Sequence, residues 1–106
     1  MDKKKDRVMN DVKDFMKNVR KIIHVEKFIL FGSRARGNSK ARSDIDLIII
    51  SKDFEGIKFF KRSPALYLLW DSSYDIDIIC LTPKEFALKI KEIGIMRQAA
   101  AEGVEL

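Results

Sequence analysis

The chain is short of cysteine, histidine and proline, and each shortage excludes a class of protein. With one cysteine among 106 residues it cannot form an internal disulfide, so it is not a disulfide scaffold. Cys80 lies in the apolar run 78–81, and we expect it to be a small core side chain. A single histidine, His24, and the absence of a CxxC pair exclude a His/Cys zinc cluster. Any metal should therefore be a hard cation held by oxygen ligands.

Long apolar runs are missing as well. Runs such as Leu47 to Ile50 are far shorter than the roughly 20 residues that cross a membrane, and no apolar segment follows the charged N-terminus. We therefore expect a cytoplasmic protein without a signal peptide or membrane association. The sequence is 46% hydrophobic with two prolines, which is typical of a globular protein, and its length predicts one domain over residues 1–106.

The net charge of the chain favours anionic binding partners without identifying one. Lysine and arginine number 21 and aspartate and glutamate 16, which gives a net charge of +5. Such a surplus suits a nucleoside triphosphate, a nucleic acid or an acidic protein, and charge alone does not choose among them. The basic residues are scattered along the chain, which disfavours a dedicated nucleic-acid surface.

The apolar pattern predicts alternating helices and strands. Steps of three and four between apolar residues predict an amphipathic helix from Asp2 to about His24. Short apolar runs predict three strands, Lys27 to Phe31, Asp44 to Ile50 and Tyr74 to Leu81. The second strand is apolar on both faces, as in a central strand. The C-terminal Val104 to Leu106 is either an edge strand or a frayed tail.

The connections carry clear helix signals. Pro64 after Ser63 predicts the start of a short helix, and Thr82 to Glu85 forms a capping box that starts an amphipathic helix reaching about Ile93. Between the first two strands, 33–43 predicts a short helix or turn, and the polar segment 51–63 is expected to be mobile.

Paired acids beside a small turn are the most informative feature. Asp44 and Asp46 are two residues apart in a strand, so both side chains point to one face of the sheet. Carboxylates held that close repel each other unless a cation such as Mg²⁺ lies between them. Gly32 and Ser33 follow the preceding strand, and such a turn offers amides and a hydroxyl to phosphate oxygens. Phosphate together with metal indicates nucleotide chemistry.

The spacing from Gly32-Ser33 through ten residues to Asp44-x-Asp46 resembles the signature of the DNA-polymerase-beta-like nucleotidyltransferase superfamily. Two short motifs resemble the minimal nucleotidyltransferase branch of this superfamily, the antitoxin partners of HEPN-domain toxins. They are SRARG at 33–37 and SDIDL at 43–47. The resemblance implies an α/β (α+β) nucleotidyltransferase fold, a mixed sheet of three or four strands flanked by helices. It also implies two Mg²⁺ ions and ATP as substrate.

The resemblance further implies a third catalytic and metal-binding carboxylate on a neighbouring strand. Asp77 is our choice because it precedes Ile78-Ile79-Cys80, although Asp75 shares its face by strand parity. Arg34 and Arg36 offer planar forks for triphosphate oxygens, and at most one of them is expected to reach the ligand. 

The nucleobase is barely specified by the sequence. Tyr67, Trp70 or Tyr74 could stack on a base, but aromatic residues at helical spacing are more often core.

Three functions are compatible with the sequence. The first is transfer of AMP from ATP to a hydroxyl, which the resemblance implies is a tyrosine of a HEPN toxin. The second is a binding module that neutralises the toxin by complex formation with weak catalysis. The third is a transferase that acts on nucleic acid, which predicts salt-dependent affinity. A homo- or hetero-oligomer is compatible with all three.

Overall fold

The computed structural model describes residues 3–31, 45–91 and 103–106. The described residues form helices and three of the predicted strands in the predicted order, with two short helices between the second and third strands. In chain order the elements are α1 (Lys3–Arg20), β1 (Lys27–Phe31), β2 (Ile45–Ile50), a 3-10 turn (Lys52–Phe54), α2 (Phe59–Arg62), α3 (Pro64–Tyr67), β3 (Ile76–Leu81), α4 (Pro83–Lys89) and β4 (Val104–Glu105).

The strands form one mixed sheet in the order β3-β2-β1-β4. β1 runs antiparallel to both of its neighbours, whereas β2 and β3 are parallel. Parallel strands need a crossover connection, and the segment that contains α2 and α3 supplies it. The mixed sheet and its flanking helices confirm the predicted fold class. The C-terminal segment, left open between edge strand and frayed tail, forms the edge strand β4 against β1.

Helix α1 covers one face of the sheet. Its apolar stripe, Val8, Val12, Phe15 and Val19, is buried against residues that include Leu47 and Ile49 of β2. These positions recur at steps of four, three and four, so they lie on one side of the helix. The helix ends at Arg20, a few residues before the predicted His24, and its end is followed by a turn in which Ile22 is 57% exposed.

The opposite face of the sheet has a smaller apolar cluster. Ile29, Ile48, Ile50 and Leu81 are buried there, and Phe86 of α4 packs against them. Because β2 contributes buried residues to both faces, it is the central strand that the sequence predicted. Helix α4 follows directly after Leu81, the last residue of β3.

Helix α4 begins at the predicted capping box. The Thr82 side chain accepts a hydrogen bond from the Glu85 amide, the Glu85 side chain accepts one from the Thr82 amide, and Pro83 occupies the first turn. Both exchanged bonds satisfy amides that the first helical turn leaves without partners. The helix ends at Lys89 rather than near Ile93, which lies outside the described residues.

The segment 51–63 has more regular structure than the sequence predicts. The segment contains a 3-10 turn and a helical turn, and it buries Phe54 and Arg62. Ser51 is fully buried, donates a hydrogen bond to the His24 carbonyl and accepts one from the Asp53 amide. These side-chain bonds fix the start of the segment to the turn before β1.

The third strand starts at Ile76, two residues later than predicted. The Tyr74 amide donates to the Ser72 hydroxyl, and the Tyr74 carbonyl accepts from the Trp70 indole. Side chains of the preceding segment thus bond both backbone groups of Tyr74, which lies outside the strand. No helix in the described part of the chain is long and apolar enough to span a membrane.

Candidate functional site

Asp46 and Asp77 are directly opposite each other in the sheet. Asp46 is the second residue of β2, Asp77 is the second residue of β3, and the parallel register pairs them. Neighbouring strands are about 4.8 Å apart, and paired residues point their side chains to the same face. Asp46 is half-buried and Asp77 is exposed, so the pair lies at the accessible end of the two strands.

The face that carries this pair is the one that α1 does not cover. The Asp46 side chain points to the opposite face from Leu47 and to the same face as Ile48, which is two residues further along the strand. Ile48 belongs to the smaller apolar cluster. Helix α4 begins at Pro83, just after β3 ends at Leu81. The acids therefore lie at the end of the two strands opposite to the start of α4.

The end of β1 lies at the same place. Phe31, the last residue of β1, pairs with Asp46 across the antiparallel register. The last residue of β1 therefore lies beside Asp46, and Gly32 and Ser33 are the next two residues in the sequence.

Five predicted site residues lie outside the described residues. They are Gly32, Ser33, Arg34, Arg36 and Asp44. Their roles remain predictions from the sequence.

Asp75 and Asp77 are separated by register, although parity could not separate them. Asp75 precedes β3, and its backbone carbonyl accepts a hydrogen bond from the Ile45 amide. Asp77 lies inside the strand and faces Asp46. The register therefore favours Asp77 as the partner of Asp46.

The donor set fits a hard divalent cation. Two carboxylates on paired strand positions about 4.8 Å apart can both reach one ion at the short Mg²⁺–oxygen distances of about 2.1 Å. Within residues 3–31, 45–91 and 103–106, no three of the His, Cys, Asp and Glu side chains form a metal-binding group. The third predicted ligand, Asp44, lies outside those ranges.

The aromatic residues considered for base stacking have structural partners. Trp70 packs edge-on against Phe15 with ring centroids 5.6 Å apart, and Trp70 and Tyr74 both pack on the main core. Tyr67 is 39% exposed, but its hydroxyl accepts a hydrogen bond of 2.9 Å from the Ile78 amide. Core packing thus accounts for Trp70 and Tyr74, and backbone pairing accounts for the Tyr67 hydroxyl.

A buried arginine organises the outer edge of β3. Arg62 binds the Glu85 carboxylate through both terminal nitrogens at 2.5 and 3.2 Å, and it donates to the Cys80 carbonyl and the Ile57 carbonyl. The hydrogen bond from Arg62 is the largest cause that lowers the pKa of Glu85 to about 2, followed by the hydrogen bond from the Thr82 backbone. Cys80 is buried, which confirms the predicted core side chain, and this burial raises the pKa of its thiol to about 12.

Sequence reasoning missed Arg62 and Tyr67 as residues that cover this edge. Arg62 lies 23 residues before Glu85, and Tyr67 lies 11 residues before Ile78. No local spacing rule connects either pair. The one available signal was that Glu85 is an acid at a capping position, which attracts a cation as well as an amide.

Comparison with known proteins agrees with this geometry. Residues 10–98 match the family described as polymerase beta, nucleotidyltransferase. The chain belongs to this family. A relative from Methanocaldococcus jannaschii, named a putative protein adenylyltransferase, is 30% identical over 71 residues, which are 65% of this chain and 72% of the relative. This nucleotidyltransferase therefore shares its family with a protein named for transfer to protein.

Two solved structures share the fold. A putative nucleotidyltransferase from Sulfolobus solfataricus superimposes with a TM-score of 0.73 at 23% identity, over 96% of this chain and 81% of that one. A toxin-antitoxin structure with AMP-PNP matches with a TM-score of 0.53 at 19% identity, over 91% of this chain and 69% of that one. The minimal nucleotidyltransferase branch expected from the sequence is consistent with these matches.

Proposed function

We propose that this nucleotidyltransferase moves AMP from ATP to a hydroxyl, most simply a tyrosine, of a HEPN toxin and so acts as its antitoxin. The observation that carries the proposal is the register that pairs Asp46 with Asp77 next to Phe31, where the first strand ends. It supports a site in which carboxylates and the Gly32-Ser33 turn act on one triphosphate.

Asp46 and Asp77, together with Asp44, would hold two Mg²⁺ ions. When bound, these ions supply positive charge to the phosphate oxygens and to the attacking and leaving oxygens. In the transfer the acceptor oxygen forms a bond to the α-phosphorus, the bond to the β-phosphate oxygen breaks, and pyrophosphate leaves. Asp77 is exposed at the outer strand and is the carboxylate that we assign to receive the hydroxyl proton.

The triphosphate would bind at the chain segment that follows Phe31. Gly32 and Ser33 would provide amides and a hydroxyl, and Arg34 or Arg36 a planar fork. Ser33→Ala should weaken ATP binding by about 1 to 3 kcal/mol, the usual cost of a lost bond to a charged group. An unchanged ATP affinity in equilibrium dialysis would remove Ser33 from the binding site.

The choice of acceptor rests on two relatives. One is named a protein adenylyltransferase, and one belongs to a toxin-antitoxin structure that holds AMP-PNP. Together with the predicted HEPN pairing they favour a protein acceptor over a nucleic acid, and ATP as the donor.

A labelling experiment tests the proposal. The chain is incubated with Mg²⁺, ATP labelled at the α-phosphate, and the purified product of the neighbouring gene. We expect label on that protein, and no label with Asp46→Asn or without Mg²⁺. Asp14→Asn is the matched control, because Asp14 is an exposed acid on α1, on the opposite side of the sheet.

Two outcomes would contradict the proposal. ATP labelled at the γ-phosphate should leave the acceptor unlabelled, so γ-label on the protein would indicate a kinase instead. Full toxin neutralisation by Asp46→Asn without any label would show that this chain acts as a binding module.

A further inference from the structure

Exposed apolar side chains are concentrated in the crossover segment between β2 and β3, which bonds the outer edge of β3 through Arg62 and Tyr67. They are Ile57, Phe59, Phe60, Tyr67 and Leu68, and we call this surface the edge patch. These side chains are between 39% and 87% exposed, with Leu68 at the upper limit and Phe60 at 67%. At about 200 Å² for a fully exposed large side chain, the patch offers on the order of 600 Å² of apolar surface. A standard protein interface takes about 800 Å² from each partner.

The edge patch is held rigidly to the strand. Arg62 of α2 binds the Cys80 carbonyl, and the Tyr67 hydroxyl at the end of α3 binds the Ile78 amide. Ile78 and Cys80 are two residues apart, so these two anchor points are about 7 Å apart on one side of β3. The apolar side chains therefore belong to a preorganised surface.

One residue of the patch bonds the strand beside the candidate site. The Ile78 amide nitrogen that binds the Tyr67 hydroxyl at 2.9 Å is part of the peptide bond to Asp77. A protein that covers Tyr67 and Leu68 therefore touches the edge of the strand that carries the exposed acid. This is where an acceptor hydroxyl would have to arrive.

Charge indicates what kind of protein fits. Lys58 and Lys61 lie among the patch residues, are exposed, and form no ion pair within the described part of the chain, whereas Arg62 is paired with Glu85. Residues 57–70 contain no aspartate or glutamate. A second copy on the same patch would bring these lysines together across a two-fold axis, which disfavours self-association.

We infer that the edge patch is the docking surface for the acceptor protein, which presents an apolar centre with an acidic rim. The identity of the docked protein as the acceptor rests on the proposed function. Docking on the patch would hold the acceptor hydroxyl beside Asp77 without any further domain. Phe60 and Leu68 are the apolar anchors, and Lys58 and Lys61 match the acidic rim.

The test measures binding of the purified neighbouring-gene product by isothermal titration calorimetry. Phe60→Asp combined with Leu68→Asp should weaken binding by about 30-fold or more, the effect of losing a central anchor. Ile22→Asp is the matched control, because Ile22 is 57% exposed but follows α1 at another surface. Circular dichroism melting shows that each variant is folded.

Charge reversal provides a second variant. Lys58→Glu with Lys61→Glu should weaken binding about tenfold or more at low salt, with a smaller effect at high salt because salt screens exposed charges. Lys13→Glu with Lys17→Glu changes the net charge by the same amount on α1 and should leave the affinity unchanged.

The labelling assay separates this inference from the proposed function. The edge-patch variants should raise the KM for the acceptor protein and leave the KM for ATP unchanged. If the acceptor is labelled and the variants bind it as well as the unmodified chain does, the docking inference is wrong and the function stands. If the acceptor binds through the patch but receives no label, the function is wrong and the docking surface stands. Absence of any binding to the unmodified chain, or loss of a homodimer as the sole effect of the variants, overturns the docking inference.

Discussion

The Glu85→Gln substitution should reveal how strongly the Arg62 ion pair stabilises the fold. The Glu85 carboxylate accepts two bonds from Arg62 and one from the Thr82 amide. Glutamine keeps one oxygen acceptor for the capping bond, but it removes the charge that Arg62 pairs with. The substitution thus separates the ion pair from the helix cap.

The size of the effect follows from the lowered pKa. A fall in the pKa of Glu85 from the ordinary value of 4.5 to about 2 corresponds to roughly 3.5 kcal/mol at about 1.4 kcal/mol per unit. The Glu85 side chain is 37% exposed, so solvent screening reduces this to about 1 to 2 kcal/mol. We expect Glu85→Gln to lower the free energy of unfolding by that amount at pH 7.

The lowered pKa of Glu85 also fixes the direction in which its contribution to stability changes with pH. Between pH 4.5 and 2 the unfolded chain protonates Glu85 while the folded chain keeps it charged, so the unfolded state binds more protons. The stabilisation is complete above about pH 4.5 and is lost as the pH falls toward 2. The difference in stability between the unmodified chain and Glu85→Gln should therefore shrink over this range.

Urea unfolding at a series of pH values from 7 to 2.5 measures this difference. Glu55→Gln is the control, because Glu55 is exposed and forms no ion pair within the described residues, and it should follow the unmodified chain throughout. The reasoning would be refuted if the free energies of unfolding of the unmodified chain and Glu85→Gln differed by a constant amount between pH 4.5 and 2.5.

Three further predictions concern the same region. Thr82→Ala should cost about 1 kcal/mol in urea unfolding because it removes the acceptor of the Glu85 amide, and Thr82→Ser should recover most of it; equal loss in both would exclude the cap as the cause. Tyr67→Phe should cost about 1 to 2 kcal/mol because the Ile78 amide loses its partner, and unchanged hydrogen exchange at Ile78 would contradict this. Cys80 should react with a thiol reagent at pH 8 only at the rate at which the protein opens, and fast labelling of the folded chain would show that the thiol is accessible.

Local patterns predicted the strands and the helix start because neighbouring residues determine them. The run from Lys27 to Phe31 became β1 with the predicted bounds, and the Thr82 to Glu85 capping box formed as expected. In both cases the decisive partners lie within a few residues along the chain.

The outer edge of β3 could not be predicted in the same way. Two of its backbone groups, the Cys80 carbonyl and the Ile78 amide, bond Arg62 and Tyr67. These partners meet only after the crossover folds back onto the sheet. The late start of β3 has a similar cause, because Tyr74 is bound by side chains of the preceding turn.

The candidate site was predicted in part. Parity placed Asp75 and Asp77 on one face, but only the sheet register shows that Asp77 is the residue opposite Asp46. Register depends on how two distant strands meet, and a single strand's sequence does not contain it. The predicted roles of Ser33 and Asp44 depend on residues outside the described ranges and remain predictions.

Divalent-ion binding tests the central claim most directly. Mn²⁺ serves as the probe, and its affinity is measured by electron paramagnetic resonance in the presence of a non-hydrolysable ATP analogue. Asp46→Asn and Asp77→Asn should each weaken Mn²⁺ binding about tenfold or more, equivalent to about 1.4 kcal/mol, whereas Asp75→Asn should bind like the unmodified chain. Unchanged Mn²⁺ affinity in Asp77→Asn, or an equal loss in Asp75→Asn, would contradict a cation shared by the two paired acids.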